Sequence, residues 1–187
     1  MNPMATSREE ILKVIRELIR RQGWEAVNVR AVASACGVAV GTLYNYFPSR
    51  NALVAASVES VWKDIFHHGE GMEDFGDILS CVRWLYRRME YGAQRYPNFF
   101  SLHALNFGEG EKAQGRRQML KVWEHIRLRL SAVAAQDPNL RPGAFGPSFT
   151  ADQFAGVLFS LMLSALLRRD YDPSPVLEIC RRTLYRI

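Results

Sequence analysis

Ile11, Val14, Ile15, Leu18 and Ile19 recur at the i, i+3, i+4, i+7, i+8 spacing of one helix face, while Arg8, Lys13, Arg16, Glu17 and Arg20 fall on the other. The pattern predicts an amphipathic helix. Ser7 with Glu10 three residues later has the form of a capping box, and Gly23 supplies a residue that accepts the left-handed conformation on which helices often end. A short second helix is expected over 29–35, with Asn28 placed to accept the free amides of its first turn, and a third over 40–46. Pro48 interrupts the chain, and Ser49 can cap a long helix running through Leu53, Ala56, Val61 and Phe66.

Further helical periodicity covers about 75–95, 97–106, 112–135, 150–169 and 173–186, separated by Pro97, Gly108, Gly110, Asp137-Pro138, Pro142-Gly143, Gly146-Pro147 and Pro173. No alternating strand pattern of useful length occurs. The expected fold class is all-α with about nine helices: a three-helix head over 1–48, then a larger helical body over 49–187 whose first element, 49–67, connects the two.

Composition adds bounds. The chain of 187 residues is 48% hydrophobic and 23% charged, which excludes a disordered or collagen-like protein. A net charge of +5 favours a polyanionic partner, and residues 1–50 hold seven basic against four acidic side chains. Cys36, Cys81 and Cys180 are odd in number and far apart, so neither a disulfide framework nor a zinc site is suggested, and a reducing cytoplasmic setting is expected. The start of the chain lacks a signal-peptide pattern. The apolar run from Phe154 to Leu167 is short for a membrane span and reads as a core helix.

The informative stretch is VRAVASACGVAVGTLYNYF, 29–47. Ala33 is followed four positions later by Gly37 and six after that by Leu43. Two helices that cross closely need a small residue on the inner face of the first, a turn residue tolerant of positive φ, and an apolar anchor on the second. Val32, Cys36, Val38, Leu43 and Phe47 supply the apolar side. Val40, Gly41, Thr42, Tyr44, Asn45 and Tyr46 are left for an outer face, where a recognition helix meets base edges and phosphates.

From Gly23 to Leu53 the sequence GWEAVNVRAVASACGVAVGTLYNYFPSRNAL strongly resembles the tetracycline-repressor (TetR) family, most specifically in Gly-Thr-Leu-Tyr-x-Tyr-Phe at 41–47. The resemblance implies a sequence-specific DNA-binding transcriptional regulator. Arg30 would reach a base, Thr42 and Tyr44 a phosphate or thymine methyl, Asn45 a base, and Tyr46 and Arg50 phosphates. Asn28, Val40 and Gly41 complete the candidate surface. Ala39 and Val40 stand where the family often has serine and lysine, leaving the recognition helix without a side-chain cap.

The resemblance also implies that the body forms a homodimer and encloses a pocket for a small, hydrophobic effector that releases a repressor from its operator. Trp84, Arg88, Tyr91, Phe99, Phe100, His103, Phe107, Trp123, Arg127, Phe154, Leu158 and Met162 are the pocket candidates. Val157, Leu161, Ser164, Ala165, Leu177 and Leu184 are the dimer candidates, because apolar and small residues cover more than one face of the helix over 150–169. Two other readings stand: a DNA-binding activator or effector-independent DNA-binding protein, and a helical enzyme with a vestigial head.

Enzyme signatures are not found. Gly110 to Gly115 has the glycine spacing of a phosphate loop, but Arg116-Arg117 replace the required Lys and Ser/Thr. His67 and His68 near Glu70 and Glu73 lack a third metal partner, so no metal or cofactor is expected.

Overall fold

In a computed structural model the chain is described over residues 7–67, 75–100 and 113–186. Ser7 Oγ accepts from the Glu10 amide at 3.2 Å, opening α1 (Arg8–Gln22), and Gly23, at φ 82°, closes it. After a 3-10 turn over Trp24–Ala26, the Asn28 side-chain Oδ1 accepts from the Ala31 amide at 2.9 Å and starts α2 (Val29–Cys36). Gly37 ends α2 at φ 68°, where a side chain would be strained, and the Val38 amide turns back to the Ala33 carbonyl at 3.0 Å. Two residues later α3 (Val40–Tyr46) begins. Ser49 Oγ then caps α4 (Arg50–His67) through the Ala52 amide at 3.1 Å.

Asp77 accepts from the Ser80 amide at 2.7 Å at the start of α5 (Ile78–Arg95). The helix expected at 97–106 has no helical start: 97–100 form a turn in which Asn98 takes φ 62°, and 101–106 lie outside the described residues. Then come α6 (Ala113–Gln136), α7 (Ala151–Arg168) and α8 (Ser174–Leu184). Thr150 and Gln153 form a reciprocal capping box at the start of α7. Among the described residues there are eight α-helices and no strand, only an isolated bridge between Gly146 and Phe149, so the fold is all-α.

By contacts the described residues form two units, one of residues up to Asp64 with those of Gly92–Lys121, the other of Ile65–Tyr91 with Val122 onward. In the first, Ile11, Ile15, Ile19, Val32 and Leu43 are shut from solvent, as the apolar stripe of α1 packs on α2 and α2 packs on α3. In the second, Ile78, Leu85, Met89, Leu130, Leu158, Cys180 and Leu184 form the core. The cysteines are buried; desolvation raises the Cys36 thiol and takes Cys180 to about 11, so they behave as small apolar residues. Ala151–Arg168 is by length and composition apolar enough to cross a membrane, yet Phe154, Leu158 and Met162 on it are packed inside the second unit.

Candidate nucleic-acid interface

The recognition surface is built by what α3 keeps inside. Leu43 (1% exposed) and Phe47 (2%) lie four apart and turn into the head core. Geometry then obliges Val40, Gly41, Tyr44 and Asn45, spaced i, i+1, i+4, i+5, to share the outward face, and all four are exposed. Tyr44, at 45% exposed, is a large aromatic held out in water. Thr42 and Tyr46 are half-buried along its edges.

Gly41 has neither a positive φ nor a neighbour within 4 Å of where a Cβ would stand. Neither turn geometry nor packing requires a glycine here, and its absence of side chain leaves the first turn of α3 open to close approach by another molecule's backbone. Arg30 is exposed on the first turn of α2 and Arg50 on the first turn of α4, so cations flank α3. Asn28 is exposed too, but its Oδ1 is engaged as the cap of α2 and its Nδ2 donates to the Ala26 carbonyl at 3.4 Å. Ala39, as expected, gives α3 no side-chain cap.

The charge of α1 is arranged differently. Arg20 and Arg21 both pair with Glu17, and the Arg21 hydrogen bond holds that carboxyl below its usual range. Arg16 pairs with Glu9. Arg8, which the periodicity put on the polar face of α1 and not among the candidate surface residues, has its guanidinium over the Phe47 ring, 5.2 Å from the centroid, beside the end of α3. Its place at the polar start of α1 gave no sequence signal of that contact.

The expected pocket residues fall in both units. Phe99 and Phe100 belong to the first unit, where they stack with Trp24 and Trp62. Trp84, Arg88, Tyr91, Trp123, Arg127, Phe154, Leu158 and Met162 belong to the second; His103 and Phe107 lie outside the described residues. Within the second unit Trp84 packs on Phe66 and Phe75, Phe154 on Phe145 and Phe149, and Trp123 on Phe159. Arg88 donates to the Ile65 carbonyl and covers Tyr91; Arg127 pairs with Glu124 and Asp152. A cleft of about 430 Å³ in this unit is lined by Leu79, Glu178, Arg181, Arg182, Tyr185 and Arg186, none of them a pocket candidate.

The dimer candidates also divide. Val157 (51% exposed) and Ser164 are on the open side of α7 and Leu161 is half-buried, whereas Ala165, Leu177 and Leu184 are buried within their own unit and are corrected to core. Leu167 and Ile179 are exposed apolar residues of α7 and α8 that the sequence reading missed. For Ile179 the signal was present: Val176, Leu177, Cys180 and Leu184 make the inward stripe of α8, and Ile179 is off it.

Residues 11–57 match the family described as bacterial regulatory proteins, tetR family. The HTH-type transcriptional repressor KstR of Rhodococcus jostii is 39% identical over 69 residues, a stretch that covers 37% of this chain and 32% of that protein. The matched stretch is thus about a third of the relative's length. Across the whole fold, a transcriptional regulator from Rhodococcus sp. Rha1 superposes with a TM-score of 0.68 at 17% identity, covering 97% of this chain and 100% of the other. FadR from Bacillus subtilis, in complex with stearoyl-CoA, does so with a TM-score of 0.64 at 17% identity, covering 92% and 97%. The head, residues 11–57, is thus similar in sequence to the tetR family of bacterial regulatory proteins, and the helical fold is similar to that of regulators of known structure.

Proposed function

We propose that this protein is a sequence-specific DNA-binding transcriptional repressor, acting as a homodimer and released by a small apolar effector. The observation that carries the DNA-binding reading is the outward row of α3, with Tyr44 in water beside an open Gly41 and Arg30 and Arg50 on either flank. Such a row matches a major groove, where side chains reach base edges while flanking cations neutralise phosphates.

Electrophoretic or fluorescence titration of duplexes selected by the full chain from a random-sequence library tests it. Arg30→Ala and Tyr44→Ala are expected each to weaken the selected duplex by about 1–3 kcal/mol with thermal stability nearly intact. Arg50→Ala weakens all duplexes alike and lowers the salt slope by about one. Undiminished binding by both Arg30→Ala and Tyr44→Ala would remove this surface from the interface.

Two-fold operators need two heads at fixed spacing, and the exposed Val157, Leu167 and Ile179, with the half-buried Leu161 and the small Ser164, offer a surface for a second copy. An effector site in the second unit is supported by Trp123, whose indole N–H is buried beside Phe159 with no hydrogen-bond partner. An unpaired buried donor is costly, and a ligand acceptor would relieve that cost. The class proposed is an apolar molecule with one oxygen acceptor, consistent with an acyl compound such as the one bound by the Bacillus subtilis relative. Trp123→Phe keeps the ring and deletes the donor. Screening acyl compounds for release of the selected duplex, with and without that substitution, reads the effect directly.

A further inference from the structure

Asp64, on α4, is 8% exposed and receives groups from two other helices and the turn after α5. The Tyr96 hydroxyl donates to its Oδ2 at 2.6 Å and Arg95 Nε to the same oxygen at 3.1 Å. From α1, Arg16 Nε stands 4.0 Å from Oδ1. Arg16 is itself oriented, donating from Nη1 to Ser60 Oγ on α4 and to Glu9 at 3.3 Å on its own helix. Beside this network the turn at 97–100 is docked by aromatic edges: Phe99 lies 5.7 Å from Trp24, just beyond the end of α1, and Phe100 lies 5.5 Å from Trp62.

Withdrawing a carboxylate from water is costly, and a buried ion pair is often no more stabilising than apolar side chains of the same volume. Stability is therefore a poor reason for this charge. What directed partners supply, and apolar contact does not, is a single rotation and register of α1 on α4. That setting matters at the DNA face, because α1 packs on α2, α2 packs on α3, and α4 starts at the fourth residue after α3. The same carboxylate is bonded by the end of α5, the helix that continues N-terminally into the second unit.

We propose that Asp64 is a positioning residue for DNA binding, its carboxylate holding α1 and the end of α5 in the one arrangement that sets the recognition helix. The proposal rests on the DNA-binding reading above. Burial, reinforced by the Asp64 bond, raises the Tyr96 hydroxyl above its usual range, so it remains a donor throughout the working pH range.

Asp64→Asn retains the shape and an acceptor for Tyr96 but removes the charge that holds Arg16 and Arg95; Tyr96→Phe removes only the hydroxyl. The probes are a duplex selected by the wild-type chain from a random library and the same duplex with one base pair inserted or deleted at its centre. Asp64→Asn is expected to lose on the order of tenfold in affinity for the selected duplex and much less for the shifted ones, narrowing the preference between them. Tyr96→Phe narrows it in the same direction by less. A purely structural role lowers all affinities by one factor, and an unchanged preference in both variants overturns the proposal. Hydrogen exchange of the full chain without DNA is the second readout. Protection should fall in α1 and at 95–96 before it falls at Leu85 and Leu130 of the second unit's core; uniform loss, or none, also overturns it. If the wild-type chain selects no duplex, the DNA-binding reading fails instead, and exchange alone decides whether Asp64 sets α1.

Discussion

The guanidinium of Arg8, the first residue of α1, stands 5.2 Å from the centre of the ring of Phe47, the residue that ends α3. A cation over an aromatic face at a partly exposed site contributes about 0.5–1 kcal/mol. Arg8→Ala is therefore expected to lower the unfolding free energy by about that amount, read by urea titration, and Arg8→Lys to recover part of it. An unchanged midpoint in Arg8→Ala would show that the contact contributes nothing.

Two substitutions at the start of α3 should separate folding from binding. Ala39→Ser adds the missing cap and should stabilise the head by about 1 kcal/mol. Gly41→Ala meets open space and improves helix propensity, so it should raise stability by about 0.5–1 kcal/mol. If DNA approaches the bare backbone there, Gly41→Ala binds the selected duplex more weakly although it is more stable. Equal or tighter binding would place Gly41 outside the interface.

For the dimer, burial assigns different outcomes to neighbouring positions. Leu158 is 1% exposed, so Leu158→Glu should unfold the chain by burying a charge. Val157→Glu and Ile179→Glu lie at exposed positions, and each should leave the helical content intact while shifting sedimentation from dimer to monomer. A wild-type chain that sediments as a monomer at micromolar concentration removes the homodimer.

The protein should lose stability in alkali. Burial takes the Tyr86 hydroxyl to about 12 and the Cys81 thiol to about 12. Tyr185 is raised by burial and then by its bond to Asp137. In the unfolded chain these groups release protons at about pH 8.5 for Cys and about pH 10 for Tyr. Above those values the folded state binds more protons than the unfolded one, so the stability present below about pH 8.5 declines as pH rises toward the raised folded values. Melting temperature by circular dichroism should fall steadily between about pH 9 and pH 11. A flat melting temperature across that range contradicts the assignment.

Local patterns carried most of the fold. The caps at Ser7, Asn28 and Ser49, the breaks at Gly23 and Gly37 and the stripe of α1 were readable because capping and amphipathic spacing act within a few residues of chain. The outward face of α3 was readable for the same reason: once Leu43 and Phe47 point inward, helix geometry assigns Tyr44 and Asn45 to the other side.

Only the tertiary structure decided which apolar residues of the body are core and which are open. Leu177, Leu184 and Ile179 have the same chemistry in one helix, yet the first two are buried and Ile179 is 47% exposed, because exposure depends on what other helices place opposite each face. The aromatics expected in one pocket divided between two units for the same reason. Asp64 and Tyr96 are 32 residues apart and carry no motif; their bond exists because folding brings α4 and the end of α5 together. The sequence by itself determined the helices and the face each could offer, since those follow from short-range spacing. Long-range packing decided which faces were covered and which charges met.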